Sequence, residues 1–236
     1  MKIVLDAGHG PETPGKRSPD GSLREYYFNS IVARYVADEL LHGYDGVEIL
    51  MTHDDSRDVP LKERTDKANA WKADVFVSIH ANAAGDVGWN SAQGIETYVH
   101  TSWPKEAVAL ANAVQRRLIR ATGRPDRGVK AADFHVLRET RMTAILVECG
   151  FMTNREECEL LKSDAYRRKC ASAIVAGIVE TYGLRKKLVP KPAEGVSEWA
   201  KEAGDWVVML GISDGRRPKD PVTREEVWTM LYRALK

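Results

Sequence analysis

The sequence predicts an α/β fold, a mostly parallel twisted sheet flanked by helices, followed by a small helical C-terminal domain. Two observations carry this expectation. Short apolar runs alternate with segments of helical period from Lys2 to Tyr182, the pattern of a parallel sheet with crossover helices. The composition then changes at Leu184, where a basic, proline-bearing stretch begins. The expected organisation is a catalytic-sized domain at 1–184, a linker at 185–195 and a tail domain at 196–236.

Ile3-Val4-Leu5 reads as a buried strand that ends at the Gly-rich turn Ala7-Gly8-His9-Gly10. A polar loop with three prolines and two glycines runs from Pro11 to Ser22. Phe28, Ile31, Val32, Tyr35, Val36 and Leu40 recur at three- and four-residue steps, so Glu25 to Leu41 is expected to be helical. Val47 to Met51 is a second strand, and Leu61 to Trp71 a mostly polar helix. Val75 to Ile79, rich in β-branched and aromatic residues, is a third strand. A loop from Gly85 to Gln93 leads to a fourth strand at Gly94 to His100, then a helix at Lys105 to Ala121. Short strands are expected around Ala131-Ala132 within Gly128 to Leu137, which would include His135. Ala144 to Val147 is another buried strand, and two helices follow near Asn154–Leu161 and Ala165–Tyr182.

The 236 residues are 43% hydrophobic and 29% charged, which excludes a disordered or collagen-like chain. Thirty-five basic residues against thirty-four acidic ones leave a formal charge of +1, so no global field draws the chain to nucleic acid. No apolar run approaches the roughly 18–20 residues that span a bilayer, which argues against membrane insertion. The first six residues, Met1 to Asp6, turn acidic after three apolar residues, unlike a Sec-type signal peptide. The expectation is a chain made in the cytoplasm without a signal. Cys149, Cys158 and Cys170 form an odd set with no CxxC spacing, so neither a disulfide framework nor a thiolate metal site is expected.

Three polar residues follow strand runs: His9 in Asp6-Ala7-Gly8-His9-Gly10, His80 in Ser78-Ile79-His80-Ala81-Asn82, and Glu148 in Leu146-Val147-Glu148-Cys149-Gly150. The carboxyl ends of parallel strands form one edge of an open sheet, and ligand sites gather there. Glu25, opening the first helix, belongs to the same edge. Two imidazoles and a carboxylate form a zinc-type donor set, and a further carboxylate can move protons beside it. Spacing alone leaves open a hydrogen-bonded turn role for either histidine. It equally leaves Glu25 as an acid at the positive end of a helix. Glu148 follows an apolar run, where a carboxylate is costly unless paired or metal-bound.

Read together, the motifs resemble the zinc-dependent N-acetylmuramoyl-L-alanine amidases of the Amidase_3 type, a family of bacterial autolysins and phage endolysins. The resemblance runs from about Lys2 to Tyr182. It rests on Val4-Leu5-Asp6-Ala7-Gly8-His9-Gly10, Glu25, Leu61-Lys62-Glu63-Arg64 with Ala68-Asn69, Ser78-Ile79-His80-Ala81-Asn82, Gly94-Ile95-Glu96-Thr97-Tyr98 and Val147-Glu148-Cys149-Gly150-Phe151. It implies one Zn2+ held by His9, Glu25 and His80, with Glu148 as the catalytic carboxylate. The implied reaction is hydrolysis of the amide between N-acetylmuramic acid and L-alanine of the stem peptide. Glu96 receives no role in this reading. The alternatives are a different zinc amidohydrolase on the same scaffold and a wall-binding protein without activity.

The tail resembles a single S-layer-homology motif. Trp199-Ala200, Trp206, Leu210-Gly211-Ile212, Asp214-Gly215 and Pro221-Val222-Thr223-Arg224-Glu225 carry the likeness, with Leu231-Tyr232-Arg233. Thr223 and Glu226 have the spacing of a capping box that opens a helix. Such motifs bind secondary cell-wall polymers, so the expected partners are peptidoglycan and that polymer. The plainer reading is two amphipathic helices whose tryptophans pack together. The combination suits a phage endolysin that reaches the wall after release. A bacterial autolysin or mother-cell lysis amidase has the same layout.

Overall fold

The computed structural model describes residues 1–85, 88–187 and 196–235. The chain forms two compact units, Met1–Leu41 with Gly46–Leu184, and His42–Asp45 with Arg185–Lys236.

The first unit is built on six strands: β1 (Lys2–Ala7), β2 (Glu48–Met51), β3 (Val75–Asn82), β4 (Ile95–Val99), β5 (Asp126–Ala131) and β6 (Thr143–Phe151). Their order in the sheet is β2-β1-β3-β6-β4-β5. Strands β2, β1, β3 and β6 run parallel, whereas β4 is antiparallel to β6 and parallel to β5. The sheet is therefore mixed, with a parallel heart. Val75 to Ile79 and Ala144 to Val147 are buried at every position, as strands covered on both faces must be.

The helices are α1 (Glu25–Gly43), α2 (Leu61–Trp71), α3 (Lys105–Thr122), α4 (His135–Arg138), α5 (Arg155–Lys162) and α6 (Asp164–Tyr182). Helices α3 and α6 pack on each other, and Gly177 makes this possible. A Cβ there would lie 2.6 Å from the Val114 side chain. Asn154 caps α5 by accepting from the Glu157 backbone N–H at 3.1 Å.

The stretch expected as short strands around Ala131-Ala132 differs from that reading. A single strand occupies Asp126–Ala131, and His135 begins the one-turn helix α4. The apolar pair Val136-Leu137 is buried in that turn beneath Val4, Phe76 and Leu146. Four residues are too few for a 3.6-residue period to stand out from a strand pattern.

The second unit holds a 3-10 turn at Glu198–Ala200, helix α7 (Lys201–Met209) and helix α8 (Arg224–Leu235). The capping box forms as expected. The Thr223 N–H donates to Glu226 Oε2 at 2.8 Å, and the Glu226 N–H donates to Thr223 Oγ1 at 3.2 Å. Val208 and Ile212 are buried, but α8 buries none of its side chains. Trp199, Trp206 and Trp228 are exposed, so the tryptophans do not form the packed cluster of the plainer reading. Residues 188–195 of the expected linker, and residues 86 and 87 of the Gly85–Gln93 loop, lie outside the described residues.

Candidate active site

The chain passes from β1 to β2 on one side and crosses back to β3 on the other. The crevice at the carboxyl ends of β1 and β3 is therefore a topological switch point. His9 emerges immediately after β1, and His80 and Glu148 lie near the ends of β3 and β6. His80 pairs directly with Glu148 across the ladder, and Glu148 pairs with Glu96 of β4. Directly opposed residues share a face of the sheet. His80, Glu148 and Glu96 thus form one polar row, inside the strands rather than beyond them.

His9, Glu25 and His80 offer one ligand-capable atom each, all within 4.8 Å of one another. His9 Nε2 lies 3.2 Å from Glu25 Oε2, and His80 Nδ1 lies 2.8 Å from Glu25 Oε1. The two imidazoles meet edge to face at 5.1 Å. Gly8 leaves the room this needs, because a Cβ on it would lie 2.1 Å from the His80 ring.

His9 adopts φ 63, the left-handed region that side chains with a Cβ disfavour. Arg64 holds it there. This buried arginine donates from Nη1 to the Ala7 carbonyl (2.6 Å), from Nη2 to the His9 carbonyl, and from Nε to the Val59 carbonyl (2.9 Å). Asn29 Nδ2 donates to the Gly8 carbonyl at 3.0 Å. The turn that presents His9 is fastened from both α1 and α2.

His80 is oriented from behind. Asp6 accepts from Ser78 Oγ (2.6 Å), Thr52 Oγ1 (2.5 Å) and Arg64 Nη1 (2.8 Å). With its proton given to Asp6, Ser78 Oγ can only accept from His80 Nε2 at 3.1 Å. This network makes Nε2 a donor to Ser78 and leaves Nδ1 turned to Glu25, to which it donates when protonated and where, unprotonated, it would ligate a metal. A hydrogen-bonded chain behind a ligating imidazole has this form in metal sites.

Burial opposes the charge on Glu25, yet the hydrogen bonds and charges of His80 and His9 hold its carboxyl well below the usual range. Burial likewise opposes charge on His80, and Glu25 outweighs it and raises its proton affinity. Two imidazoles crowd a buried carboxylate in the same few ångströms. That cluster attracts a cation.

Glu148 is pushed up to about 8, chiefly by burial and further by the charges of Glu25 and Glu96, against the pull of His80 and Lys16. Its Oε2 is buried and has no hydrogen-bond partner among the described residues.

Glu96, without a role in the sequence reading, is a buried hub. Its Oε1 accepts from Asn82 Nδ2 and from the Tyr98 hydroxyl, both at 2.7 Å. Its Oε2 accepts from Arg127 Nε (2.7 Å) and from the Lys130 ammonium. Burial raises the Glu96 pKa, but these donors prevail and lower it from 4.5 to about 2. A depressed carboxylate stabilises the fold above its unfolded pKa and loses that contribution as pH falls through its folded one. Urea unfolding at pH 7 and pH 3 is expected to show wild type losing more stability on acidification than Glu96→Gln.

His53 and His100 do not line the cleft, whereas His135 does. His53 contacts Tyr26 edge to face at 6.0 Å, His100 bonds Ser102, and His135 Nε2 lies 3.4 Å from Thr65 Oγ1. Cys149 is fully buried, as expected for a core thiol. A cleft of about 560 Å³ opens in front of the triad, walled by Val59, Leu61, Phe134, Val136 and Leu146. Lys16, His9, His80 and Glu148 also line it.

An α/β sheet with this triad at its switch point, a buried carboxylate with an unpartnered oxygen beside it and a cleft in front has the layout of a hydrolase site. The model of the N-acetylmuramoyl-L-alanine amidase family matches residues 3–180. The chain belongs to that family, whose members are peptidoglycan amidases. It is 33% identical to the N-acetylmuramoyl-L-alanine amidase CwlM of Bacillus licheniformis over 79% of this chain and 70% of the relative. It is 36% identical to an endolysin of Bacillus phage SPP1 over 78% of this chain and 67% of the relative. The solved catalytic domain of CwlV, an amidase from Bacillus (Paenibacillus) polymyxa, superposes with a TM-score of 0.72 and 34% identity. That match covers 78% of this chain and 99% of the other. The tail beyond residue 180 lies outside the family match.

Proposed function

We propose that the first unit is a zinc-dependent amidase in which His9, Glu25 and His80 hold the metal and Glu148 moves the proton. The observation that carries this is the convergence of the three donors within 4.8 Å beside the unpartnered Oε2 of Glu148. Two imidazole nitrogens and a carboxylate oxygen fit the zinc preference for nitrogen and oxygen donors with one position left open. A bound zinc ion supplies Lewis-acid polarisation of the scissile carbonyl and makes water more acidic.

The chain's own residues do the rest. Ser78, fixed by Asp6, keeps the His80 Nδ1 lone pair directed at the centre. Arg64 keeps His9 in place against its backbone preference. Glu148 takes a proton from the attacking water at its free Oε2 and delivers it to the departing amine of L-alanine. Its raised proton affinity suits it to hold that proton between the two steps. The apolar cleft wall excludes water from the peptide side of the bond. Mass spectrometry of digested walls tests the bond assignment. New amino groups are expected on L-alanine, and release of acetate or cleavage within the peptide contradicts it.

The second unit serves as a wall-binding module of the S-layer-homology kind, and secondary wall polymer is its ligand. Its exposed Trp199 and Trp228 support this, since flat aromatic faces suit sugar rings. Truncation after Leu184 is expected to weaken pelleting with walls severalfold and to spare hydrolysis of soluble muropeptide. Unchanged pelleting removes the binding role.

The likeness to a phage endolysin supports a role in host lysis. A sporulation-specific amidase of Bacillus subtilis, 32% identical over 79% of this chain, supports the bacterial alternative. Among the described residues no helix is long and apolar enough to cross a membrane.

A further inference from the structure

We propose that Lys16 reads the free carboxylate of the stem-peptide residue that follows L-alanine, making this amidase selective for stems in which that group is not amidated. The inference rests on the amidase reading above and adds a substrate preference to it.

Lys16 lines the same cleft as Glu148 and the triad. The other charged side chains of that cleft outside the reacting centre are already engaged. Arg64 and Asp6 are bonded to each other and to the interior. Asp58 accepts from the Glu12 N–H (2.9 Å) and Thr13 Oγ1 (2.7 Å). The Lys16 ammonium has no hydrogen-bond or ion-pair partner among the described residues. Its main chain, by contrast, is fixed. The Lys16 carbonyl accepts from the Glu25 N–H at 3.0 Å, and Arg17 bridges to Arg24. The main chain of this exposed lysine is therefore tied to that of Glu25, at the centre of the triad.

The chemistry of the two halves of the substrate assigns the partner. The N-acetylmuramoyl half carries hydroxyl, ether and acetamide groups and no charge. The peptide half carries its first charge on the residue after L-alanine, as a free carboxylate or, where amidated, as a neutral carboxamide. Only the peptide half carries a charge, so a cation lining the same cleft as Glu148 is matched to that half. An ammonium discriminates these two groups because only the carboxylate offers a charge-assisted hydrogen bond.

The test uses the zinc-loaded whole chain and two substrates whose γ-carboxyl is blocked by a third residue, N-acetylmuramoyl-L-alanyl-γ-D-glutamyl-L-lysine and its α-amidated D-isoglutaminyl counterpart. Wild type is expected to show a kcat/KM for the acid about fivefold or more above that for the amide, the scale of one partly exposed ion pair. Lys16→Met is expected to bring the two substrates to parity by slowing the acid, and Lys16→Arg to restore the preference. Equal rates for both substrates in wild type, or equal slowing of both by Lys16→Met, overturn the proposal. If wild type cleaves neither, the amidase reading itself fails. Calorimetric binding of the product tripeptides L-alanyl-γ-D-glutamyl-L-lysine and its α-amidated form then decides the role of Lys16 separately. A loss of affinity for the acid alone in Lys16→Met supports it, and no difference between the tripeptides overturns it.

Discussion

Glu148→Gln is expected to fold, to keep its metal and to lose hydrolysis by about two to four orders of magnitude, the range of a lost general acid–base group. The substitution keeps the volume and position of the side chain on β6, opposite His80 and Glu96. It removes only the ability to accept and return a proton at Oε2. Because that oxygen makes no hydrogen bond within the protein, no structural contact is lost with it. The amide also relieves a buried carboxylate whose pKa burial has pushed to about 8. Stability is therefore expected to hold or rise slightly. Amine release, zinc content and thermal melting on the same sample check all three parts. A rate within threefold of wild type would falsify the assigned role.

Arg64→Met is expected to destabilise the first unit by about 3–5 kcal/mol, the cost of breaking a buried ion pair by removing one partner. Arg64 and Asp6 each have side chains only 2% exposed. The methionine leaves the Asp6 carboxylate without its counter-ion and frees the Ala7, His9 and Val59 carbonyls. The left-handed His9 then loses the contact that holds it, so residual folded protein is expected to bind zinc more weakly as well. Adding Asp6→Asn removes the stranded charge and is expected to recover part of the stability without restoring zinc affinity. Urea unfolding of the single and double variants measures the first effect, and zinc titration the second. A single variant within 1 kcal/mol of wild type contradicts this account of Arg64.

The sheet was legible because its strands are unambiguous. Val75 to Ile79 and Ala144 to Val147 are apolar at nearly every position, and the helices between them repeat at three and four residues. The antiparallel direction of β4 was not legible, because a strand's own pattern is the same whichever way its neighbour runs. At the site, His9, His80 and Glu148 showed themselves by following apolar runs. The common edge of the sheet suggested their convergence with Glu25, but their roles needed the family resemblance, since 139 positions separate the first from the last and no local spacing connects them. The support behind them was hidden for a different reason. Arg64 looks like any charged residue of the polar helix α2, although it shares the buried face with Ala68 four residues on. Glu96 sits in a short, largely buried strand, a place where a carboxylate needs partners. Those partners, Arg127 and Lys130, lie about thirty residues away on β5, beyond reach of any pattern within the strand.

Zinc titrated into chelator-stripped protein, with release of the L-alanine amino group followed at each addition, tests the central claim most directly. Activity is expected to be absent without metal and to rise to a plateau at one zinc per chain. Glu25→Gln and His80→Ala are expected to need far more zinc for whatever activity they show. Full activity in excess chelator, or a plateau reached by those variants at the same one-to-one point, would contradict a metal centre built from His9, Glu25 and His80.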